Sequence, residues 1–319
     1  MKRTLIGLIV VVAACSPGDA AGSTTSSTTT SLAPTTTQPS PTTTIAPATT
    51  TTIAPTTTTT IPEGTTTTSA DLEGNWADGP LVTTDFAALG WWDGSGWRSA
   101  ETEGALPVVG GEDYQVIVES SIGRTTGGPQ TTVCEPLGLL GVDLADPGLL
   151  GVFPGPFGVA ISAPWPLQPH FFEVGSDDGT YGAMASELLA SRGLDVPEPV
   201  IKQVVRTDLE GDGVNEVVVV AEDVTPGFIM EVGDYSIAFL RRVIDGDVQS
   251  LVLEESVVLG EDEQFAGAHT IGTVADLNGD GTMEIVTDSA FFEGFAVTVW
   301  EYVDDDQGMT IRLQAGCGS

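Results

Sequence analysis

Two short acidic bends, each set between runs rich in Val and Ile, constrain this chain more than any other feature. Asp208-Leu209-Glu210-Gly211-Asp212-Gly213-Val214-Asn215-Glu216 and Asp276-Leu277-Asn278-Gly279-Asp280-Gly281-Thr282-Met283-Glu284 share six of nine positions. Residues 200–206 and 216–221 flank the first copy, and 270–275 and 284–287 flank the second. Short β-branched runs bounded by Gly and Asp clusters read as strands joined by tight bends. A repeated strand–bend–strand unit cannot bury its apolar face alone, so the copies are expected to pack against neighbours.

Strand signals dominate the rest of the folded part. Residues 235–243 and 248–258 form an expected hairpin across Asp245-Gly246, and 295–303 and 309–313 are further strands. Upstream, 86–98 reads as a hairpin turning at Asp93-Gly94, with strands at 114–119 and 131–134. The Gly-, Pro- and Leu-rich stretch 135–169 suggests little regular structure. One helix is expected over 181–192, with Met184, Ala185, Leu188 and Leu189 as its apolar stripe, Thr180 as its cap and Gly193 as its stop. The expected fold class is therefore mainly β, antiparallel, with one short helix.

The spacing within each bend suits an oxygen-seeking cation. Calcium takes 6–8 oxygen ligands, and alternate residues of a tight loop turn their oxygens to one centre. In the second copy these are Asp276, Asn278 and Asp280, joined by the Thr282 carbonyl and Glu284. In the first they are Asp208, Glu210, Asp212, the Val214 carbonyl and Glu216, with Glu210 longer than the usual Asp or Asn. An EF-hand would need Glu at the twelfth position, where Thr287 and Val219 stand instead, and helical flanks. The stretch Val274 to Val286, and its weaker copy Arg206 to Val218, resemble the FG-GAP/VCBS repeats that form blades of integrin-α-like propellers. That resemblance implies propeller-like antiparallel blades, structural Ca2+ at up to two sites, and roles in adhesion or ligand binding. Propellers have 4–8 blades, and only two clear repeats occur here. Either residues 76–175 supply degenerate blades, or the assembly is a smaller, open one.

The chain begins Met1-Lys2-Arg3, followed by an apolar run from Thr4 to Ala14 and then Cys15. Two positive charges before a run about half the roughly 20 residues of a membrane span read as a signal peptide. Val12-Ala13-Ala14-Cys15 resembles the lipobox of bacterial lipoproteins, which implies lipidation at Cys15 and anchoring on the extracellular face of the cell membrane. Residues 15–74 are mostly Thr, Ser and Pro, with too little apolar surface to offset the entropy of ordering, and are expected to be a disordered stalk. The division is thus 1–14 signal peptide, 15–74 linker, 75–199 β-rich part with the helix, and 200–319 the two repeats.

With 45 acidic against 10 basic residues, the formal charge is −35. Such a chain repels nucleic acid, and charge cannot hold it to an anionic membrane. With Cys15 lipidated, Cys134 and Cys317 remain as an expected extracellular disulfide. No catalytic residue is indicated. His170 and His269 lie outside any triad or metal spacing, and no nucleophile elbow, phosphate loop or dinucleotide fingerprint occurs. Trp91, Trp92 and Trp97 on one hairpin suit either core packing or a sugar-stacking face. The expected function is a surface lipoprotein whose calcium-braced β module binds an extracellular protein, glycan or wall polymer. The alternative is an extracellular hydrolase of glycans or peptides with the same loops as scaffold.

Overall fold

The computed structural model describes residues 72–135, 137–151, 157–168, 171–174, 179–226, 229–244, 247–260, 266–292, 294–303 and 308–318. All lie in the second of two units, Thr65–Ser319. The expected signal peptide, Cys15 and nearly all of the expected stalk lie outside the described residues, as do His170 and the Asp245-Gly246 turn.

The strands in order are β1 (Leu81–Thr83), β2 (Ala88–Trp92), β3 (Trp97–Ser99), β4 (Asp113–Val118), β5 (Ser121–Val133), β6 (Leu139–Leu144) and β7 (Val159–Ser162). There follow β8 (Phe171–Val174), the helix α1 (Gly179–Ser191), β9 (Ile201–Thr207), β10 (Glu216–Asp223), β11 (Tyr235–Ile244) and β12 (Asp247–Val257). The last four are β13 (Ala268–Ala275), β14 (Glu284–Phe291), β15 (Gly294–Tyr302) and β16 (Met309–Gly318). They form three antiparallel sheets. The first has seven strands in the order β3-β2-β1-β7-β4-β5-β6, the second has five, β12-β11-β10-β9-β8, and the third has four, β13-β14-β15-β16. The second and third are meanders in which every strand pairs with its sequence neighbour.

The stacking follows from strand alternation, which sends successive side chains to opposite faces. Along β10 and β11, Val218, Val220, Ala238 and Leu240 enter a core shared with Ile271, Val274, Ile285 and Trp300 of the third sheet. The residues between them, Val219, Ala221, Ile237 and Phe239, pack instead with Tyr181, Ala185 and Leu189 of α1. The third sheet turns its other face, Val286, Val297, Val299 and Leu313, to Val82, Leu89, Ile117 and Ile161 of the first. The far side of the first sheet curls around its own core of Leu81, Tyr114, Val116, Val142, Leu144 and Leu150. The order is therefore helix, second sheet, third sheet, curled first sheet. The outward face of the second sheet is taken by α1, where a closed ring would place another blade.

The expected antiparallel β class and the single helix are observed. Residues 135–169 hold more structure than expected, namely β6, β7 and a 3₁₀ turn at Pro147–Leu150. The strand expected at 131–134 is the end of a 13-residue strand. Thr180 falls in the first turn of α1, and Gly193, at φ +97°, ends the helix as expected. Trp91 packs on the curled core and Trp97 on the opposite core, while Trp92 meets Trp97 edge to face at 5.5 Å. The Cys134 and Cys317 Cα atoms stand 5.8 Å apart with their sulfurs bonded, tying the first sheet to the third.

Among the described residues no strand pairs with one edge of β13, and side chains and a loop peptide satisfy backbone groups there. Gln203 accepts from Ile271 N at 2.8 Å and donates to its carbonyl at 3.1 Å. Ser236 Oγ accepts from His269 N at 2.8 Å, and Glu119 N donates to the Gly272 carbonyl at 2.6 Å. Gly272 sits at a register shift, and a Cβ there would meet the Phe157 carbonyl oxygen at 2.1 Å. Gln203→Leu keeps the volume but strands both polar groups of Ile271. We expect it to cost about 2–4 kcal/mol, measured by denaturant unfolding, and a loss under about 0.5 kcal/mol would show that this edge finds other partners.

Candidate metal centre

Both acidic bends lie at the same end of their sheets, as the β9–β10 and β13–β14 connections. Left-handed φ values at Gly211, Gly213, Gly279 and Gly281, between +72° and +91°, let the backbone fold inward around the acidic side chains. In the second bend Asp276 accepts from Gly279 N at 2.6 Å and from Gly281 N at 3.0 Å. Asn278 Oδ1 accepts from Asp280 N, and Asp280 Oδ1 accepts from Thr282 N. In the first bend Asp208 accepts from Asp212 N and Gly213 N, and Asp212 accepts from Val214 N. The two bends thus fold alike, as their sequences do.

The closing glutamates come from the first residue of the following strand. Glu284 Oε2 accepts from Leu277 N at 2.6 Å, and Glu216 Oε2 accepts from Leu209 N at 3.0 Å. Leu277 and Leu209 in turn plug two successive inter-sheet cores, which fixes the second position of each bend. Glu284 is fully buried, and its other oxygen, Oε1, has no hydrogen-bond partner. Burial pushes its carboxyl well above the ordinary range, and the charges of Asp276, Asp280 and Glu301 push it further. Asp276 is raised mainly by burial, against the amides of Gly279 and Gly281 that favour its charge. A buried acceptor left without a partner costs free energy, more so beside like charges. A divalent ion would satisfy that orphan oxygen and reverse the local charge logic.

Among the described residues, no three His, Cys, Asp or Glu side chains stand together as a metal-holding group. In the second bend the oxygens are of mixed kinds, since Asn278 contributes an amide and Thr282 a carbonyl. In the first bend the third position is diverted. Glu210 pairs with Arg242 at 3.3 Å, and the Arg242 guanidinium lies 3.7 Å from the Tyr302 ring centroid. Asp212 and its counterpart Asp280 are both exposed, but Val214 is exposed where Thr282 is half-buried, and Glu210 is half-buried where Asn278 is buried. The second bend is the better enclosed of the two.

Two features of this end were not foreseen. Met283 N donates to the Leu209 carbonyl at 2.8 Å, so the two bends lie side by side. Beyond the second, Trp165 Nε1 donates to the Asp276 carbonyl at 3.0 Å, and its ring lies 3.2 Å from where a Cβ on Gly279 would be. The contacts are lateral, between segments distant in sequence, and periodicity along one segment carries no trace of them.

His269 takes part in a buried hydroxyl network. Its Nε2 lies 2.9 Å from Ser256 Oγ and its Nδ1 2.8 Å from Ser289 Oγ. Burial lowers its pKa to about 4. Both imidazole nitrogens lie within hydrogen-bond distance of hydroxyls, and a hydrogen bond with the Glu255 backbone partly offsets the effect of burial. Among the described residues no carboxylate stands behind the ring to orient it as a base, and His269 and Ser256 are buried. Neutral His269 in the fold against an ordinary imidazole in the unfolded chain means that unfolding takes up a proton between about pH 4 and 6.5. Its contribution to stability is complete above that window and is lost as pH falls through it. Ring-proton NMR titration should show one of the two histidines holding neutral to about pH 4, and two ordinary titrations near 6.5 would contradict the burial.

No protein-family model matches the chain, and neither a known curated protein nor a solved structure matches it.

Proposed function

We propose that the chain is a lipid-anchored surface protein, held through Cys15, whose β module is braced by calcium and binds an extracellular protein, glycan or wall polymer. The observation that carries the calcium part is the partnerless oxygen of fully buried Glu284, which lies within the electrostatic reach of Asp276, Asp280 and Glu301. In the second bend Asp276, Asn278, Asp280, the Thr282 carbonyl and Glu284 would hold the ion. In the first the same roles would fall to Asp208, Asp212, the Val214 carbonyl and Glu216, and Glu210 could join them only by giving up its pairing with Arg242. The ion's part is structural: it supplies the positive charge that this cluster lacks. The chain's own residues do the rest. The glycines fold the backbone inward, and Leu209 and Leu277 anchor each bend in a core. Extracellular calcium modules work at about 10⁻⁴–10⁻³ M, and free calcium at 100 times the dissociation constant would stabilise the fold by about 2.7 kcal/mol.

The resemblance to FG-GAP/VCBS repeats supports the same reading, since four- and five-stranded meanders stacked face to face are blade-like. A stack that ends in a helix at one side and a curled sheet at the other fits a short open array of such blades. The alternative, an extracellular hydrolase, rests on the Ser256–His269 contact, which is enclosed in the protein.

Glu284→Gln separates the calcium reading from a metal-free turn by a change of sign. Without calcium the substitution removes a buried charge from a repulsive cluster, so the melting temperature stays level or rises. With millimolar calcium it loses most of the rise that the unaltered protein gains. Asp280→Ala should lose that rise too, and an undiminished rise in both variants would overturn the assignment. For the binding part, purified protein is screened against wall polymers. Saturable binding without turnover is expected, and catalytic turnover would favour the hydrolase.

A further inference from the structure

The two bends belong to different sheets, yet one residue joins them. Leu209 donates its N–H to Glu216 Oε2, the closing glutamate of its own bend, at 3.0 Å. Its carbonyl accepts from Met283 N of the other bend at 2.8 Å. That N–H belongs to the peptide unit whose carbonyl is Thr282's, a donor to the second centre. A Cβ on Gly211 would lie 3.8 Å from the Gly281 carbonyl oxygen, so the backbones run close on either side of this bond.

We propose that Glu216 positions a donor of the neighbouring centre: it fixes Leu209, Leu209 fixes the Thr282–Met283 peptide, and that peptide aims the Thr282 carbonyl at an ion in the second bend. The proposal rests on the calcium reading and deepens it by making the affinity of the second bend depend on the first. The linkage is short and directional. A peptide unit is planar, so holding its N–H from one side sets the direction of its carbonyl on the other. The side chain at the head of this relay is itself held. Glu216 is only 4% exposed, and it projects from the start of β10, where it pairs with Thr207 of β9. Charge works in the opposite direction, because an ion in the first bend weakens the pull on a second ion. The outer turn of the first bend, from Gly211 to Asn215, is exposed, and physiological salt screens charges over about 8 Å. The backbone relay works against that repulsion, and by the reciprocity of linked equilibria a bias exerted by one bend on the other is returned.

Trp165 provides a reporter local to the second bend, because its ring lies against Gly279 and its N–H against Asp276. Terbium, an oxygen-seeking stand-in for calcium, luminesces when an excited tryptophan lies close by. The experiment titrates terbium into the full chain, excites tryptophan, and competes with calcium, using Trp165→Phe to identify the signal. Glu216→Met keeps the buried volume but removes the acceptor for Leu209, and Glu216→Gln keeps an acceptor oxygen without the charge. The expected result is affinity at the second bend at least tenfold weaker in E216M and within about threefold of the unaltered protein in E216Q. Equal affinity in E216M overturns the relay. Equal losses in both variants also overturn it, since charge and not the hydrogen bond would then be responsible. No terbium or calcium binding by the unaltered protein sinks the calcium reading itself, and this inference with it.

A second measurement does not depend on E216M folding. In Asp212→Asn, which weakens the first bend's own donor set, calcium filling the second bend should slow hydrogen exchange at Leu209 N–H. Unchanged exchange there, with calcium bound, is incompatible with the relay.

Discussion

The third sheet is covered on both faces over most of β13 to β15, with exposed side chains such as Ile311 and Gln314 on its outer strand β16, and the rest of the fold is arranged around that fact. Its strands send Ile271, Val274 and Ile285 to one side and Val286, Val297, Val299 and Leu313 to the other. Each buried aliphatic side chain is worth about 1.5–3 kcal/mol relative to exposure. The second and first sheets must therefore lie against it on opposite sides. Burial on both faces also means that the backbone of its first strand has nowhere wet to turn. Gln203, Ser236 and Glu119 supply the hydrogen bonds that a further strand would have supplied. Dry stacking and side-chain pairing of the edge are one solution, since leaving either undone would strand polar groups in an apolar interior.

This arrangement explains why the acidic bends come together. Sheets that stack with their strands in similar directions place equivalent connections at the same end, so two copies of one strand–bend–strand unit become neighbours. The Leu at the second position of each bend serves the stack directly. Leu209 fills the interface between second and third sheets, and Leu277 fills the interface between third and first. The row then continues to Trp165, which lies over the second bend as the second bend lies beside the first. The first sheet offers no third copy of the bend, and an indole closes the row.

Much of this was legible in the sequence from residue 200 onward, where Val and Ile runs alternate with Gly and Asp bends and each strand pairs with the next. The bends themselves, with their glutamates at the strand starts, were also legible, because local hydrogen bonds determine their shape. Before residue 200 the pattern failed for identifiable reasons. β5 contains Gly127, Gly128 and Pro129, where its pairing with β6 shifts register, so it does not read as one strand. β7 is only four residues long and lies between β1 and β4 far from either in sequence. Its neighbour Gly158 is a glycine for a tertiary reason, since a Cβ would lie 2.0 Å from the Ile117 carbonyl oxygen. Read alone, that glycine signals a loop. Glu210 pairs with Arg242, 32 residues on within the second sheet, and Leu209 meets Met283 across two sheets; contacts between segments so far apart in sequence left no local signature.

The acidity of the chain gains a more specific meaning at the bends. Most of its 45 acidic residues can sit in water at little cost, and a net charge this large serves solubility wherever the protein works. Glu284 is different, because it combines full burial with an oxygen that bonds to nothing. A chain selected only for a stable turn would gain by placing Gln there, which keeps an oxygen acceptor for Leu277 N and removes the buried charge. An ionised carboxylate there costs stability in the metal-free fold; a proton relieves that cost, and on the proposed reading a calcium ion does so too. Among the described residues Arg242 pairs with Glu210 of the first bend and Arg312 with Glu301, and no ion pair is seen at Asp276, Asp280 or Glu284. On the reading proposed above, the buried carboxylate is half of an interaction whose other half is an ion.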